Sequence, residues 1–408
     1  MEHKFLARKP IGNPRRVWRQ DNFTLALSSP TVMSLTPNNS LIRQKTRRAV
    51  KTAIDAGFDL IGCLWAHSDV AMDIVRAAEA YGGKVLFQDM LRFGGMGAKG
   101  AVFSCDGELL YDSKVKTCKD DGFEGTVALL ADFCKQLANG AEIDYNDVAA
   151  IGLGSPGVVD SRRGIVLRWS NFDWNNVPLA ERLSAMTSRP VYIANDANVA
   201  ALGEAKFGST AQYQSSILIT IGTGVGSGIV FDGKLIEGFR SAGAELGHVT
   251  IREGGLPCAC GRRGCYEKYA STTALIRQTR HAMVEDLNSL LWEEADDKIE
   301  NVNGRTVFAA ARRGDKTAQA VIDQFVGYLS EGIADFVNIL RPEAIVLGGG
   351  IVGEGEALFE PLRKAVDART YIAMDIVPLK IVGAKLGNKA GMYGAYSIAK
   401  DNLKNGQS

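Results

Sequence analysis

No apolar run in this 408-residue sequence is long enough to cross a bilayer, and the opening MEHKFLARKP has no apolar segment of the kind that directs secretion. Net charge is nearly missing too. The 47 Lys and Arg face 46 Asp and Glu, a formal +1, which gives no general pull toward nucleic acid or a membrane surface. Cysteine is sparse, with 7 in all and most of them scattered, so the chain is not a disulfide scaffold. At 46% hydrophobic residues it is not a disordered chain either, and it has apolar material for two or three domains with cores of their own. Together these features predict a cytoplasmic protein with no membrane partner, where thiols stay reduced and clustered cysteines bind metal rather than one another. Charge balance breaks only in the first fifty residues, where Lys4, Arg8, Lys9, Arg15, Arg16, Arg19, Arg43, Lys45, Arg47 and Arg48 face only Glu2 and Asp21.

Chemistry concentrates in Ala244 to Glu267, AELGHVTIREGGLPCACGRRGCYE. Cys258, Cys260 and Cys265 are the only clustered cysteines, and His248 precedes them within loop reach. One imidazole and three thiolates complete a closed tetrahedral shell, so the expected group is structural Zn²⁺. Glycines inside CxCGxxGC let the chain fold back tightly between ligands. A ligating histidine keeps its second ring nitrogen free for a fixed hydrogen bond. The metal loop draws Glu245 and Glu267 toward the same place, and carboxylates beside a neutral imidazole suit sugar hydroxyls. Either Glu alone reads as a solvated surface charge.

The first ninety residues read as a basic lead-in over residues 1–22, a strand at Phe23–Ser29, a helix near Leu41–Ala56, the strand FDLIGCLWA, a helix near Val70–Tyr81 and the strand KVLFQD. Such alternation predicts parallel strands joined by crossover helices. From Gly94 the character changes. GGMGAKGAVFSCDGELL runs glycine turn, strand, Asp106-Gly107, strand, and GTGVGSGIVFDGKLI from Gly222 repeats the plan. Gly100-Ala101-Val102-Phe103 lines up with Gly228-Ile229-Val230-Phe231, which predicts a fold of two similar halves. Each glycine loop can bring backbone N–H groups to an anion. Neither is a Walker A loop or a dinucleotide fingerprint, because no Gly-Lys-Ser/Thr follows and the next element is a strand.

Between the loops, VAAIGLGSPGVVD reads as a buried strand ending in a turn. RPVYIANDANVAALGEAKFG places Asn195 and Asp196 at the C-terminal end of a strand and the start of a helix. Parallel folds put ligands at such a tip, yet Asp is also a favoured helix cap, so Asp196 reads either way. Downstream, RTVFAAARRGD and TAQAVIDQFVGYLSEGIADFVNIL are helical, the latter stopped by Pro342. EAIVLGGGI is a strand whose Gly348, Gly349 and Gly350 suit either a tight turn or a flat ligand, and AKLGNKAGMYGAYSIAK is a helix that packs back on an earlier element.

GSPGVVD, NDAN with ALGE, IGTGVGSGIV, AELGH, CACGRRGCYE, IVLGGG and LGNKAG, in that order from residue 97 to about 400, resemble the ROK family of sugar kinases and sugar-responsive repressors. The resemblance implies an α/β, actin-like or hexokinase-like (ribonuclease H-like) fold of two lobes with duplicated halves. The expected domains are a βα extension at 1–91, a first lobe at 92–200 with a helix at 388–403, and a second lobe with the zinc loop at 201–387. It further implies that Asn171, Asn195, Asp196, Glu245, His248 and Glu267 hold a hexose, and that His248, Cys258, Cys260 and Cys265 hold Zn²⁺. Gly222, Thr223, Gly224 and Gly226, with Gly94, Gly95 and Lys99, would meet the phosphates of ATP, and Gly348, Gly349 and Gly350 the adenosine. A homodimer is expected. Phosphoryl transfer needs positioning, charge neutralisation by Mg²⁺ and loop N–H groups, and a group to orient the attacking hydroxyl, for which Asp196 is the candidate.

One stretch departs from the family. Where a DxGGTxxK loop is expected, the chain reads Arg92-Phe93-Gly94-Gly95-Met96-Gly97-Ala98-Lys99. A guanidinium reverses the charge of the missing aspartate and ligates no metal. Residues 1 to about 95 therefore look joined from another gene at the shared Gly-Gly. A glucokinase-like hexose kinase is the leading expectation. A sugar-responsive regulator is favoured by the basic opening but opposed by its strands and by the lack of a recognition-helix pattern, so nucleic acid is not the expected partner. A sugar-binding protein without catalysis is the third.

Overall fold

The computed structural model describes residues 97–169 and 172–405, together with two short strands, β1 (Leu60–Gly62) and β2 (Lys84–Leu86), which pair in parallel. The expected lead-in, the strand at Phe23–Ser29 and the helices near Leu41–Ala56 and Val70–Tyr81 lie outside the described residues. Close contacts gather Phe93–Ser271 with Val326–Ser408 into one compact unit, while Thr272–Phe325 belongs to a second.

The larger unit begins with an antiparallel hairpin, β3 (Gly97–Phe103) and β4 (Leu109–Lys116), turned at Gly107 with φ 93°. Helix α1 (Gly122–Gly140) follows, burying Val127, Leu130, Phe133 and Leu137 on one face. Next come β5 (Ile151–Ser155) and an antiparallel sheet of β6 (Val158–Asp160), β7 (Ile165–Trp169) and β8 (Trp174–Val177). Helix α2 (Leu179–Thr187) leads to β9 (Val191–Asn195), which pairs in parallel with β5 and runs directly into α3 (Asp196–Phe207).

A five-stranded sheet follows, built on β10 (Ser215–Ile221), β11 (Val225–Phe231) and β12 (Lys234–Leu235). After the cysteine loop and the single turn α4 (Glu267–Ala270) come, in the second unit, α5 (Thr272–Glu285) and α6 (Thr306–Arg312). Helix α7 (Lys316–Leu340) ends two residues before Pro342. Then come β13 (Ala344–Gly348), α8 (Glu356–Asp367), β14 (Lys380–Gly383) and α9 (Ala390–Asn405). Strand order is β12-β11-β10-β13-β14, with β10 antiparallel to β11 and parallel to β13. Strand β10 is covered on both faces, which is why it reads as an almost unbroken apolar run, with Ile217, Ile219 and Ile221 each 0% exposed. The β11–β12 hairpin turns on Asp232 (φ 50°) and Gly233 (φ 70°), the two positive values a two-residue turn of this hand requires.

Helix α9 starts at Ala390 rather than at the expected 388, because Gly387–Lys389 forms a separate 3-10 turn. It packs on α3 at backbone contact: a Cβ on Gly394 would stand 1.6 Å from the Val199 carbonyl oxygen, and one on Gly203 2.2 Å from that of Ala390. The fully buried Glu204 of α3 ties the end of that helix to the segment that leads into α9 by accepting the N–H groups of Ser209 (2.8 Å), Lys385 (3.1 Å) and Leu386 (2.7 Å). In the second unit, Arg313 clamps Glu293 and Glu294 at 2.6 and 2.7 Å, and Asp315 accepts the Leu290 and Ala318 N–H groups.

Candidate active site and metal centre

Helix α3 opens at the tip of β9, and its first two polar residues divide the work. Asn195 is the cap. Its Oδ1 accepts the N–H groups of Ala197 (2.9 Å) and Asn198 (3.2 Å), and its Nδ2 donates to the Gly157 carbonyl at 2.9 Å. Asp196 is the first helical residue, so the helix start does not depend on it, although its Oδ1 also accepts the Ala197 N–H at 2.9 Å. Water reaches the Asp196 carboxylate, yet protein atoms surround it closely enough that burial raises its pKa.

Three glycines in and beside β11 press its surroundings together. Gly226 abuts Ala197, Gly224 leaves a Cβ-sized space only 2.5 Å from the Glu267 carboxylate, and Gly247 lies where a Cβ would meet the Val225 carbonyl at 2.1 Å. Ser227 donates to the Ala244 carbonyl at 2.5 Å and accepts the Leu246 N–H at 3.0 Å, which fixes the Glu245–His248 loop against the strand. The glycine turn Gly222–Gly224 is open to solvent at Gly222 and Thr223, with the Gly222 N–H spent on the Gly224 carbonyl at 3.0 Å. Gly349, with φ 100°, packs on the Ile221 carbonyl, where a Cβ would come to 2.1 Å. The Gly348–Gly350 loop is thereby brought beside the Gly222 turn.

The cysteine loop supplies the opposite wall. Gly261 (φ 88°) and Gly264 (φ 80°) make its turns, and Gly264 sits where any side chain would strike the Arg252 carbonyl. Arg262 pins the loop by donating to the His248 carbonyl at 3.0 Å and to Thr250 Oγ1 at 2.8 Å. One ligand atom from each of His248, Cys258, Cys260 and Cys265 lies within 4.8 Å of the others. Cys258 Sγ is 3.7 Å from His248 Nδ1, and the Cys260 and Cys265 sulfurs are 3.6 Å apart. A zinc tetrahedron with bonds of about 2.0–2.3 Å has edges of about 3.5–3.8 Å, so this set fits Zn²⁺ with little movement. His248 turns Nδ1 toward the thiols, which leaves Nε2 for another partner.

Glu267 follows this loop immediately. The buried Tyr266, whose hydroxyl donates to the Leu329 carbonyl at 2.8 Å, sets its direction, and Glu267 Oε1 accepts from Cys258 Sγ at 3.0 Å. Glu245 senses the other acids: burial raises its pKa, His248 lowers it, and the Asp196 and Glu267 carboxylates raise it further. Glu245 thus lies within electrostatic reach of Asp196, His248 and Glu267, and the Glu267 carboxylate stands beside Gly224 of the glycine turn.

The chain belongs to the ROK family. The family's sequence model matches residues 90–402. It is 37% identical to a glucokinase of Thermotoga maritima over 321 residues, 77% of this chain and 98% of that one. The crystal structure of a ROK family glucokinase from Streptomyces griseus, in complex with glucose and AMPPNP, is 33% identical with a TM-score of 0.64, covering 76% of this chain and 97% of that one. A ROK family transcriptional regulator, described as a homolog of the E. coli MLC protein, is 31% identical with a TM-score of 0.66, covering 77% of each chain. The α/β fold of this chain is thus the actin-like, hexokinase-like fold of ROK proteins.

Not every expected site residue in this ROK chain joins the cluster. Asn171, Gly94 and Gly95 lie outside the described residues. Lys99 is exposed on β3 opposite Lys114. Asn195 is close to Asp196 but has both its oxygen and its amide group engaged in holding α3 and the Gly157 turn. Sequence reasoning passed over Ser227, whose hydroxyl aligns the Glu245 loop.

Proposed function

We propose that the chain is an ATP-dependent hexose kinase, transferring the γ-phosphoryl group to the 6-hydroxyl of glucose or a closely related sugar. The grouping of Asp196, His248 and Glu267 within electrostatic reach of Glu245, with Glu267 beside Gly224 of the glycine turn, carries this reading. Asp196 accepts the hydroxyl proton. Its raised pKa suits a base that must take a proton near neutrality and release it again. Glu245, Glu267 and His248 Nε2 hold the other hydroxyls, with Asn171 and the remaining amide N–H of Asn195 as further contacts. The open N–H groups of Thr223 and Gly224 face the phosphates of ATP, bound as its Mg²⁺ complex, and the Gly348–Gly350 loop lies against the adenosine. A Zn²⁺ on His248, Cys258, Cys260 and Cys265 stiffens the loop that carries Glu267 and neutralises its thiolates. The residues themselves orient the sugar.

The proposed organisation is two similar lobes, 92–200 with the C-terminal helix and 201–387, preceded by an extension, in a homodimer. The Arg92 and Met96 replacements weaken the first phosphate loop and with it turnover. A sugar-responsive regulator without catalysis is the second reading, favoured by the TM-score of 0.66 to a ROK family transcriptional regulator. Coverage argues for the kinase, since the chain spans 97% of the kinase structure and 77% of the regulator. ADP release over a panel of hexoses, with ATP and Mg²⁺, tests the proposal. Hexose-dependent ADP supports it, and sugar binding with no ADP from any hexose, in this chain and after Arg92→Asp with Met96→Thr, replaces it with the second reading.

A further inference from the structure

The loop that delivers Glu245 holds an unfavourable backbone. Arg240 (φ 52°), Ser241 (φ 55°) and Ala244 (φ 63°) are all left-handed, and Gly238 (φ 71°) precedes them. A residue with a side chain disfavours that region, because its Cβ crowds the following carbonyl oxygen. Several such residues in one short loop persist only where their surroundings over-determine the backbone. Bonds inside the loop are few. The Gly243 N–H reaches the Glu237 carbonyl at 2.7 Å, and the Phe239–Ser241 turn adds longer bonds at 3.3 and 3.2 Å. Ser227 fixes the far end, at Ala244 and Leu246.

The middle of the loop is held from a distant part of the chain, the end of β6 and the residue after it. Asp160 is 1% exposed; its Oδ2 accepts from Arg240 Nε at 3.3 Å and its Oδ1 from the Arg163 N–H at 3.3 Å. Ser161 engages the loop through three bonds. Its N–H donates to Ser241 Oγ at 3.3 Å, and its hydroxyl donates to Glu237 Oε2 at 2.9 Å. With that proton spent, the 2.7 Å contact between the two serine hydroxyls is donated by Ser241. The same segment is tied at its start to α3, since Asn195 Nδ2 donates to the Gly157 carbonyl at 2.9 Å. Gly157–Ser161 therefore bridges the helix that begins at Asp196 and the loop that ends in Glu245.

We propose that Asp160 and Ser161 are positioning residues for the hexose site, which hold the Glu237–Ala244 loop in its left-handed form and so preset Glu245. The role rests on the reading that Glu245 holds a sugar hydroxyl. Both residues act through the loop rather than on the sugar. With the anchors in place, the strained backbone is the ground state and Glu245 is presented ready to bind. Without them, Arg240, Ser241 and Ala244 relax toward right-handed or extended backbone and carry Glu245 away. Asp160 is the stronger anchor, because withdrawal of Arg240 would leave its buried carboxylate without a countercharge. Apparent sugar affinity scales with the fraction of molecules whose loop is anchored, so a fall of that fraction to a tenth costs tenfold in Kd.

The test uses the full chain, titrated with D-glucose and followed by amide hydrogen exchange at Gly243, Leu246 and His248, whose N–H groups are bonded in and just after the loop. Asp160→Asn with Ser161→Ala keeps the shape of the bridge and weakens both anchors. The double variant is expected to raise the glucose Kd at least tenfold and to quicken exchange at the three amides at least tenfold, with β10 unchanged. Ala244→Gly alone should alter Kd less than threefold. Added to the double variant, it frees one left-handed position from its Cβ and should recover at least threefold of the lost affinity and slow the three amides again. A loss confined to the packing of β6 would not respond to residue 244. The proposal is overturned if the double variant leaves Kd and the three amides as they were, if exchange quickens throughout the larger unit, or if Ala244→Gly recovers nothing. An unaltered chain that binds neither glucose nor any other hexose defeats the hexose reading by itself. Exchange at the three amides, and its recovery by Ala244→Gly, then still decides whether the loop is anchored from β6.

Discussion

Replacing Asp196 by Asn separates the proposed chemistry from the fold more cleanly than any other change. Asn195 already caps α3 through Ala197 and Asn198, and an amide oxygen at 196 still accepts the Ala197 N–H now held at 2.9 Å. The helix should therefore keep its start. A positioned general base contributes about 10²–10⁴ in rate, and at about 1.36 kcal/mol per tenfold the barrier should rise by about 2.7–5.4 kcal/mol. Sugar affinity should change by no more than about tenfold, because one hydrogen bond among several is weakened rather than removed and a typical bond nets about 0.5–1.5 kcal/mol. Stability carries its own sign. Burial raises the Asp196 pKa in the folded chain, so its contribution is full below the unfolded pKa and is lost as pH rises through the folded one. At neutral pH the ionised carboxylate is thus a cost that the amide lacks, and Tm should not fall. Activity runs the other way, since the base works only when ionised. The acid limb of kcat in the unaltered chain should lie above the ordinary carboxylate range and vanish from the residual activity of the variant. The assays are coupled ADP release against pH, calorimetric titration of the sugar and thermal melting, run in the chain itself and with Arg92→Asp and Met96→Thr. Turnover within threefold of the parent would falsify the assignment, as would a loss of sugar affinity as large as the loss of turnover.

Purified protein should contain about one zinc per chain, and its removal by a chelator, or Cys260→Ser, should lower hexose affinity at least tenfold because Glu267 and His248 lose their fixed support; affinity that survives a proven loss of metal refutes the link. Restoring the family's loop with Arg92→Asp and Met96→Thr should raise kcat/KM for hexose phosphorylation at least tenfold, and no gain in steady-state assays would count against a damaged first phosphate loop. Gly394→Ala places a methyl group 1.6 Å from the Val199 carbonyl oxygen and should destabilise the α3–α9 contact by about 1–3 kcal/mol, read as a lower midpoint in urea. An unchanged midpoint there would mean that the two helices part easily.

What could be read in advance follows the range of the forces involved. The gathering of His248 with Cys258, Cys260 and Cys265 was legible because metal ligation demands particular side chains at close spacing, and CACGRRGC leaves few other uses for them. Strand β10 and the Asp232-Gly233 hairpin were legible because burial on two faces and a positive φ each restrict residue type locally. The ambiguity at Asn195-Asp196 was not resolvable from local pattern. Both residues suit a helix cap, and only the position of the Gly157 carbonyl, thirty-eight residues earlier in the chain, assigns that task to Asn195. Ser227 was hidden for a similar reason, since its partners Ala244 and Leu246 are set by how a later loop returns to β11. The close approach of α9 to α3 left a trace in the glycines of AGMYGAYS, but which helix they meet is a matter of tertiary packing.

Charge around the centre restricts what can bind there and from which side. Burial and the Asp196 and Glu267 carboxylates all push the Glu245 carboxyl up, so adding another anion at the same point is opposed by every acid present. A neutral polyhydroxyl ligand has no such conflict, because each carboxylate can accept a hydroxyl proton without meeting a like charge. Hexuronic acids and sugar phosphates are disfavoured for the same reason, which in the proposed reaction would also favour release of the product, since the sugar acquires the charge of the transferred group. In the proposed kinase, the phosphates of a nucleotide would approach along the Gly222 turn, where Gly222 and Thr223 are open to solvent and Gly224 stands close to Glu267. Loop N–H groups cannot by themselves offset several phosphate charges so near a carboxylate. On the proposed reading the nucleotide would therefore bring its own cation, and the neutral sugar would need none.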